Sequence, residues 1–284
     1  LRGETLAVVG ESGCGKSSLG RAILQLPPPT SGAVVFEGED LTKLDRPALR
    51  RLRRHMQMVF QDPISSLNPR RRVGDIVAEP LRIWNTAAPA EIHRLVCEAL
   101  EVVGFSPAEV WDRRPHEFSG GQCQRISLAR AVVLAPTLLI CDEPVSALDA
   151  SVQAQILNLL HEMKARYHLT MIFISHDLAV VKNVSDRVAV MYLGKIVETG
   201  PTERVFQHPL HHYTRALMNS IVTVDSVLSE RDVITGELPS ALDPPSGCRF
   251  RTRCIRAEAR CAELEPPLAD IEQGHAVACH FPIP

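Results

Sequence analysis

The chain has 284 residues, a formal net charge of −2 and a 45% hydrophobic fraction, which allows a sizeable buried core and excludes a disordered protein. The near-neutral charge gives no general attraction to nucleic acid or anionic membranes, and the arginines at residues 50–54 and 70–72 are typical of solvated surface. The longest apolar run, residues 131–141, is too short to cross a bilayer and contains Pro136. A membrane role would therefore need a partner.

The first predicted element is a buried strand at residues 6–9, followed by a loop with the pattern G-x-x-x-x-G-K-[ST] at residues 10–17. A predicted helix continues from residue 18. Backbone N–H groups at a helix N-terminus attract phosphate, because the helix dipole places partial positive charge there. We expect Lys16 to reach the β and γ phosphates and Ser17 to bind magnesium. An ordinary glycine turn is the alternative, and the Lys-Ser ending argues against it.

A predicted strand at residues 33–37, an arginine-rich helix at residues 47–54 and a strand at residues 56–60 follow. Gln61 comes directly after the last of these strands, where its amide oxygen could bind magnesium. From about residue 73 to residue 104 the apolar spacing becomes helical. These helices are expected to form an insertion between strands.

Ser119, Gly120 and Gly121 precede a helix predicted from about residue 122 to residue 134. A helix N-terminus without large side chains could accept phosphate. The structural alternative is a serine N-cap after a turn.

Two carboxylates, Asp142 and Glu143, follow a buried strand predicted at residues 137–141. We expect Asp142 to bind magnesium, generally through water, and Glu143 to polarise the water that attacks the γ phosphate. His176 follows another buried strand, predicted at residues 171–174, and suits a γ-phosphate sensor. Strands at residues 187–192 and 195–199 are expected to close the sheet.

The eight cysteines form two groups. Cys14, Cys97, Cys123 and Cys141 are scattered and typical of small buried hydrophobic residues. Cys248, Cys254, Cys261 and Cys279 lie in a tail rich in proline and arginine, which favours metal binding over disulfides in a reducing compartment. A 4Fe-4S cluster and a zinc ion both accept four cysteines, and unligated thiols are the third reading.

The motifs singled out above resemble, in their order, those of an ATP-binding cassette (ABC) transporter ATPase. They are residues 10–17, Gln61, residues 119–122, Asp142, Glu143, residues 146–149 and His176. The resemblance covers about the first 205 residues. It implies that two cassettes pair head to tail, with each ATP between the loop of one and residues 119–122 of the other. The implied ATP-binding residues are Gly10, Ser12, Gly13, Cys14, Gly15, Lys16, Ser17, Ser18, Gln61, Ser119, Gly120, Gly121, Gln122 and Asp149. The implied magnesium ligands are Ser17, Gln61 and Asp142, and the implied catalytic residues are Glu143, His176 and Lys16.

The implied fold is an α/β P-loop NTPase with a mainly parallel sheet. The nucleotide-binding domain is expected at residues 1–205, with a helical subdomain at about 62–130. A C-terminal extension is expected at residues 206–284, with an irregular cysteine-rich part at about 245–284. Because the sequence begins almost at the loop, we expect it to be a fragment, such as the second half of a longer polypeptide.

Two regions narrow the resemblance. The 57 residues between Gln61 and Ser119 suit the compact helical subdomain of transporters. Phe118 replaces the leucine that is usual before the signature motif, residues 119–122. Residues 207–217 and 247–280 are similar to the C-terminal region of oligopeptide, dipeptide and nickel importer ATPases, with His212 and Ile255 where proline is usual. The resemblance favours a 4Fe-4S cluster on the four tail cysteines, with zinc as the alternative.

The predicted function is the ATP-hydrolysing subunit, or one half of a fused subunit, of a peptide importer at the cytoplasmic face of the bacterial plasma membrane. The implied partners are a second ABC ATPase domain, two transmembrane permease subunits and, through them, an extracytoplasmic substrate-binding protein; no nucleic acid is expected. The alternative is a soluble ABC ATPase that acts on ribosomes or nucleic acid, with the tail as an interaction or redox module. Dipeptides, oligopeptides, nickel and glutathione all stay open as cargo.

Overall fold

The computed structural model describes residues 1–85, 87–219, 236–272 and 274–284. Its strands are β1 (Thr5–Val9), β2 (Val35–Phe36), β3 (Glu39–Asp40), β4 (Met56–Val59), β5 (Leu138–Asp142), β6 (Thr170–Ile174), β7 (Arg187–Tyr192), β8 (Lys195–Pro201), β9 (Ala269–Glu272) and β10 (His275–Val277). Its helices are α1 (Lys16–Ile23), α2 (Arg46–Arg53), α3 (Pro63–Ser66), α4 (Val73–Trp84), α5 (Pro89–Val102), α6 (Pro107–Val110), α7 (Gly120–Val132), α8 (Ala150–Tyr167), α9 (Leu178–Val184), α10 (Thr202–Gln207), α11 (His212–Asn219) and α12 (Ala259–Glu263).

These residues form two compact units. Unit 1 holds Leu1–Glu4 and Gly20–Ile172, and unit 2 holds Thr5–Leu19 and Phe173–Pro284. Residues 220–235 of the predicted C-terminal extension lie outside the described residues. The predicted domain boundary near residue 205 stays a prediction.

Unit 1 contains parallel strands and the predicted run of helices. β4 and β5 pair in parallel, with Met56 opposite Leu138 and Val59 opposite Cys141. Every residue of β5 is buried, as expected for a strand covered on both faces. The helices α3, α4 and α5 all contact α7, whose own residues are mostly buried. The carboxyl ends of β4 and β5 therefore sit at one edge, and they carry Gln61 and Asp142.

Unit 2 carries the glycine-rich loop and the C-terminal region. β1 pairs with β7 in parallel, from Leu6 opposite Arg187 to Val9 opposite Val190. β7 and β8 correspond to the two predicted closing strands, and the structure pairs them antiparallel. The tail extends this pair, because β10 pairs with β8 and β9 pairs with β10. The sequence did not predict these two tail strands, which are only three and four residues long.

No helix within the described part of the chain is long and apolar enough to span a membrane.

Candidate functional site

The glycine-rich loop, residues 10–17, joins β1 to α1, which begins at Lys16. Gly10, Gly13 and Gly15 have φ angles of +151°, +82° and +104°, a region that side chains disfavour. A Cβ atom on Gly10 would lie 2.1 Å from the Met191 carbonyl oxygen of β7. The loop thus needs glycine both for its conformation and for its close approach to β7.

Lys16 is buried, and its Nζ donates to the Gly10 carbonyl at 2.8 Å and the Glu11 carbonyl at 3.0 Å. The ammonium therefore lies inside the loop, where a polyphosphate would gain from its charge. Cys14 is also buried; burial raises the pKa of its thiol, and Lys16 partly opposes this. Among the other predicted contacts, Ser12 and Ser18 are exposed and Ser17 is half-buried.

His176 belongs to the same unit as the loop. The Ser175 N–H donates to the Val8 carbonyl of β1 at 3.2 Å, so the residue before His176 lies beside the strand that enters the loop. His176 is exposed, and α9 begins two residues later with Asp177 as its N-cap. Unit 2 thus places His176 and the loop at the same edge.

The Gln61 and Glu143 side chains meet in unit 1, where Gln61 Nε2 donates to Glu143 Oε2 at 2.9 Å. Asp142 is buried at the end of β5, whereas Glu143 is half-buried. Glu143 has a φ of +46°, which turns the chain sharply after the strand. Its carbonyl accepts the Ser146 N–H at 3.3 Å and the Ser146 hydroxyl at 3.1 Å, and both bonds support this turn.

Ser119 and Gln122 form a capping box at the start of α7. The Gln122 N–H donates to Ser119 Oγ at 3.4 Å, and the Ser119 N–H donates to Gln122 Oε1 at 3.0 Å. The helix therefore begins at Gly120, two residues earlier than predicted. The pattern S-x-x-Q is itself a capping-box signal, so the sequence contained the information to place this start.

Asp149 caps α8. Its carboxylate accepts the Ser151 hydroxyl at 2.7 Å and the Val152 N–H at 3.0 Å. The Ser151 side chain, followed by the Val152 N–H, lowers the pKa of this carboxyl. Asp149 thus holds the start of α8 as an ionised N-cap.

Phe118, which departs from the usual leucine, has well-defined neighbours. Its ring lies edge-on to Phe105 with centroids 5.8 Å apart, and the Arg113 guanidinium lies 4.3 Å from the ring centroid. The larger aromatic side chain therefore packs before the signature without displacing the cap at Ser119.

Two residues that the sequence did not predict, Tyr213 and Arg253, contact the loop in unit 2. The Glu11 N–H donates to the Tyr213 hydroxyl at 2.9 Å, and Arg253 Nη1 donates to Glu11 Oε2 at 2.8 Å. Tyr213, Tyr192 and Phe250 form an aromatic cluster with ring centroids 4.7 to 5.3 Å apart. No local sequence pattern indicates the two contacts with Glu11, because the residues they join are more than 200 positions apart.

The four tail cysteines lie near one another in unit 2. The Cys248 N–H donates to the Cys261 carbonyl at 2.8 Å, and a Cβ on Gly247 would lie 2.4 Å from that oxygen. Burial, followed by Cys248, Cys254 and Cys261, raises the pKa of the Cys279 thiol to about 11, although the Phe281 N–H opposes this. All eight cysteines are free thiols.

Within the described residues, no group of three or more His, Cys, Asp or Glu side chains is arranged to hold a metal ion. The predicted magnesium and cluster ligands accordingly stay predictions.

Comparison with known proteins decides the family. The ABC transporter profile matches residues 1–146, and the profile of the oligopeptide/dipeptide transporter C-terminal region matches residues 197–261. The chain belongs to the ABC transporter family. It is 51% identical to the oligopeptide transport ATP-binding protein OppF of Escherichia coli (strain K12), over 98% of this chain and 84% of that protein.

Two further likenesses support this ABC assignment. The chain is 49% identical to the oligopeptide transport ATP-binding protein AppF of Bacillus subtilis (strain 168), over 99% of this chain and 86% of that protein. The structure is similar to the ATP-binding cassette MJ0796, solved as a dimer in a post-hydrolysis state bound to ADP and Pi. The TM-score is 0.64 at 27% identity, over 71% of this chain and 87% of that one. The predicted ABC fold is confirmed.

Proposed function

We propose that this ABC ATPase is the ATP-hydrolysing subunit, or one half of a fused subunit, of a bacterial peptide importer. The observation that carries the proposal is the identity of about half of all positions to oligopeptide transport ATP-binding proteins over nearly the whole chain. The match of residues 197–261 to the C-terminal region of oligopeptide/dipeptide transporters supports it, because this region lies outside the ATPase motifs.

ATP is bound first by the glycine-rich loop. The buried Lys16 ammonium and the loop N–H groups attract the phosphates, and the glycines at 10, 13 and 15 let the backbone approach them closely. Residues 119–122 provide a second helix N-terminus, which suits the phosphate of an ATP held by a second cassette. The solved dimer of the similar cassette MJ0796 supports such a pairing.

Hydrolysis uses the acidic end of β5. Glu143 polarises the attacking water, and the hydrogen bond from Gln61 fixes the orientation of its carboxylate. Ser17, Gln61 and Asp142 each supply an oxygen, the donor that magnesium prefers, so the ligand chemistry fits this ion. When bound, magnesium neutralises developing phosphate charge. His176 donates to the γ phosphate from the end of β6.

Cys248, Cys254, Cys261 and Cys279 are proposed as ligands of a 4Fe-4S cluster, with zinc as the alternative. One observation supports metal binding: at three of these cysteines, the backbone N–H group two residues later hydrogen-bonds to the sulfur. Burial raises the pKa values of Cys248, Cys254 and Cys279, and the N–H groups of Phe250, Arg256 and Phe281 oppose part of this rise. Such bonds stabilise the thiolate form that metals require.

Metal analysis tests this cluster. Protein purified without oxygen is expected to contain about four iron and four sulfide per chain, and Cys254→Ser to lose most of both. Cys97→Ser, at a cysteine of α5, is the matched control and should keep the iron. Zinc without iron would identify the alternative metal, and neither metal would contradict the proposed site.

The expected partners are a second ABC ATPase domain, two permease subunits in the membrane and a substrate-binding protein outside it. A peripheral position at the cytoplasmic face follows from this assembly. ATP binding would close the two cassettes, and hydrolysis would release them, which moves the permease between conformations.

Affinity purification of the tagged protein from its own membranes tests the importer assignment. We expect two multispanning permease subunits in the purified complex and ATPase activity that rises with peptide-loaded binding protein. Recovery with ribosomes or DNA and without permease subunits would overturn the assignment.

A further inference from the structure

We propose that Arg253 of the C-terminal tail is a positioning residue for ATP binding, because it pairs with the Glu11 carboxylate inside the glycine-rich loop. This inference rests on the proposed binding of ATP by that loop. Arg253 belongs to a short turn, Arg251–Arg253, directly before Cys254. It is more than 240 residues from Glu11 in the sequence, yet Nη1 and Oε2 are 2.8 Å apart.

Glu11 is held at all three of its polar groups. Its N–H donates to the Tyr213 hydroxyl at 2.9 Å, and its carbonyl accepts from Lys16 Nζ at 3.0 Å. Its carboxylate accepts from Arg253. The second residue of the loop is thus fixed from α11, from α1 and from the tail at the same time, so the loop conformation depends on all three.

The ion pair is shielded from water. The Arg253 side chain is 9% exposed and the Glu11 side chain 24% exposed, so solvent weakens their attraction less than at an open surface. Arg253 also donates to the Tyr192 hydroxyl at 3.4 Å, and its guanidinium lies 5.9 Å from the Tyr192 ring centroid. These contacts give the guanidinium a defined position.

The turn that carries Arg253 is fixed by the same aromatic cluster. The Arg253 N–H donates to the Phe250 carbonyl at 3.0 Å, and the buried Phe250 ring contacts Tyr192 and Tyr213. A neighbouring arginine, Arg249, donates to the Leu193 carbonyl, and the adjacent Gly194 N–H donates to the Cys14 carbonyl of the loop at 2.8 Å. The tail is therefore connected to the loop a second time, through Arg249, Leu193 and Gly194.

Charge explains why this pair matters for ATP. A carboxylate in a loop that binds polyphosphate repels the ligand unless a cation neutralises it. Arg253 supplies that cation. Without Arg253, the negative charge of Glu11 would be uncompensated beside the phosphates, and the carboxylate would lose its fixed position. Both effects would weaken ATP binding.

The test is the equilibrium dissociation constant of magnesium-ATP, measured on the full-length protein. Arg253→Met keeps much of the side-chain length and removes the charge, and we expect a dissociation constant about ten-fold higher. In the double variant E11Q/R253M the repelling charge is also gone, so the constant should return to within about three-fold of wild type. A purely structural role for Arg253 would not give this recovery.

Arg260→Met is the matched control, because Arg260 lies in the same tail and is exposed. It should bind ATP as wild type does. In steady-state hydrolysis, R253M should raise KM with a smaller change in kcat. The inference would be overturned if R253M and R260M bound ATP with equal affinity. It would also be overturned if E11Q/R253M bound ATP no more tightly than R253M.

Two measurements separate this inference from the proposed function. Thermal unfolding shows whether R253M is folded. If R253M is not folded, two other variants replace it: Arg253→Lys, which keeps the charge, and Arg253→Gln, which removes it. The inference then requires that Arg253→Lys bind ATP more tightly than folded Arg253→Gln. Lys16→Ala tests the loop itself. Failure of wild type to bind ATP would refute the proposed function, whereas ATP binding that is lost in K16A and unchanged in R253M would refute the inference alone.

Discussion

The Glu143 carboxylate is oriented by the Gln61 amide at 2.9 Å and lies on a residue whose φ is +46°. A non-glycine residue in this region costs about 1 kcal/mol or more, so the surrounding turn must hold it. Such a fixed carboxylate suits the polarisation of a water molecule, which needs a base in one place.

We predict that Glu143→Gln binds ATP as wild type does and hydrolyses it at least about 100-fold more slowly, because the amide cannot accept a proton. Filter binding of ATP and phosphate release by the assembled transporter measure the two effects. The control is Glu109→Gln on α6, which should change neither. Unchanged turnover in Glu143→Gln would contradict the catalytic role.

The junction of α7 and α8 depends on a glycine at the helix start. A Cβ atom on Gly121 would lie 2.4 Å from Val152 Cγ1, which is closer than unbonded atoms approach. The neighbouring Gly120 differs, because its Cβ would lie 3.7 Å from Leu148 Cδ2, an ordinary contact. The two signature glycines therefore have different structural requirements.

We predict that Gly121→Ala lowers the free energy of unfolding by about 1–3 kcal/mol through this overlap, whereas Gly120→Ala stays within about 0.5 kcal/mol of wild type. Val152→Ala in the Gly121→Ala background removes the overlapping methyl groups and should restore part of the loss. Urea unfolding of the four proteins measures these effects. Equal destabilisation by the two alanines would contradict the packing argument.

The entry to α11 contains a buried histidine that resists protonation. The Tyr213 N–H donates to His211 Nδ1 at 3.0 Å, and the His211 N–H donates to Glu198 Oε2 at 2.8 Å. Burial, followed by the charge of His212, lowers the pKa of His211 to about 3. The neutral ring is therefore part of the folded state.

Because the pKa of His211 is lower in the folded than in the unfolded state, its contribution to stability is complete above about pH 6.5 and declines as the pH falls toward 3. The expected slope is about 1.4 kcal/mol per pH unit. His211→Asn can still accept the Tyr213 N–H and does not titrate, so its unfolding free energy should fall less steeply. Urea unfolding at pH 7, 6, 5 and 4 measures both slopes; parallel curves would contradict the prediction. The Glu198–His275 pair is common to both proteins and cancels in the comparison.

Sequence patterns predicted the elements that carry buried periodic runs. The strand predicted at residues 137–141 corresponds to β5, and the helix predicted at about residues 122–134 corresponds to α7. The short tail strands β9 and β10 were missed, because three or four residues give too little alternation to distinguish a strand from a loop. Their pairing depends on β8, which lies far earlier in the sequence.

The candidate site was predictable where function depends on residues close together in sequence. The glycine pattern at residues 10–17 and the acidic pair after β5 are of this kind. The contacts of Glu11 with Tyr213 and Arg253 join positions more than 200 residues apart, and no local pattern specifies them. Contacts of this kind become visible only in the folded chain.

The tail strands also affect whether the edge of the sheet can pair with another copy of the chain. β10 pairs with β8, and β9 becomes the outer strand; all four of its residues are exposed, and Asp270 and Glu272 are among them. Charges, short length and the register shift at His275 are features that discourage edge-to-edge pairing. A chain that ended before β9 would expose the seven-residue edge of β8 to the same edge of another copy. β10 covers part of that edge, and a covered edge is less prone to pair with another chain.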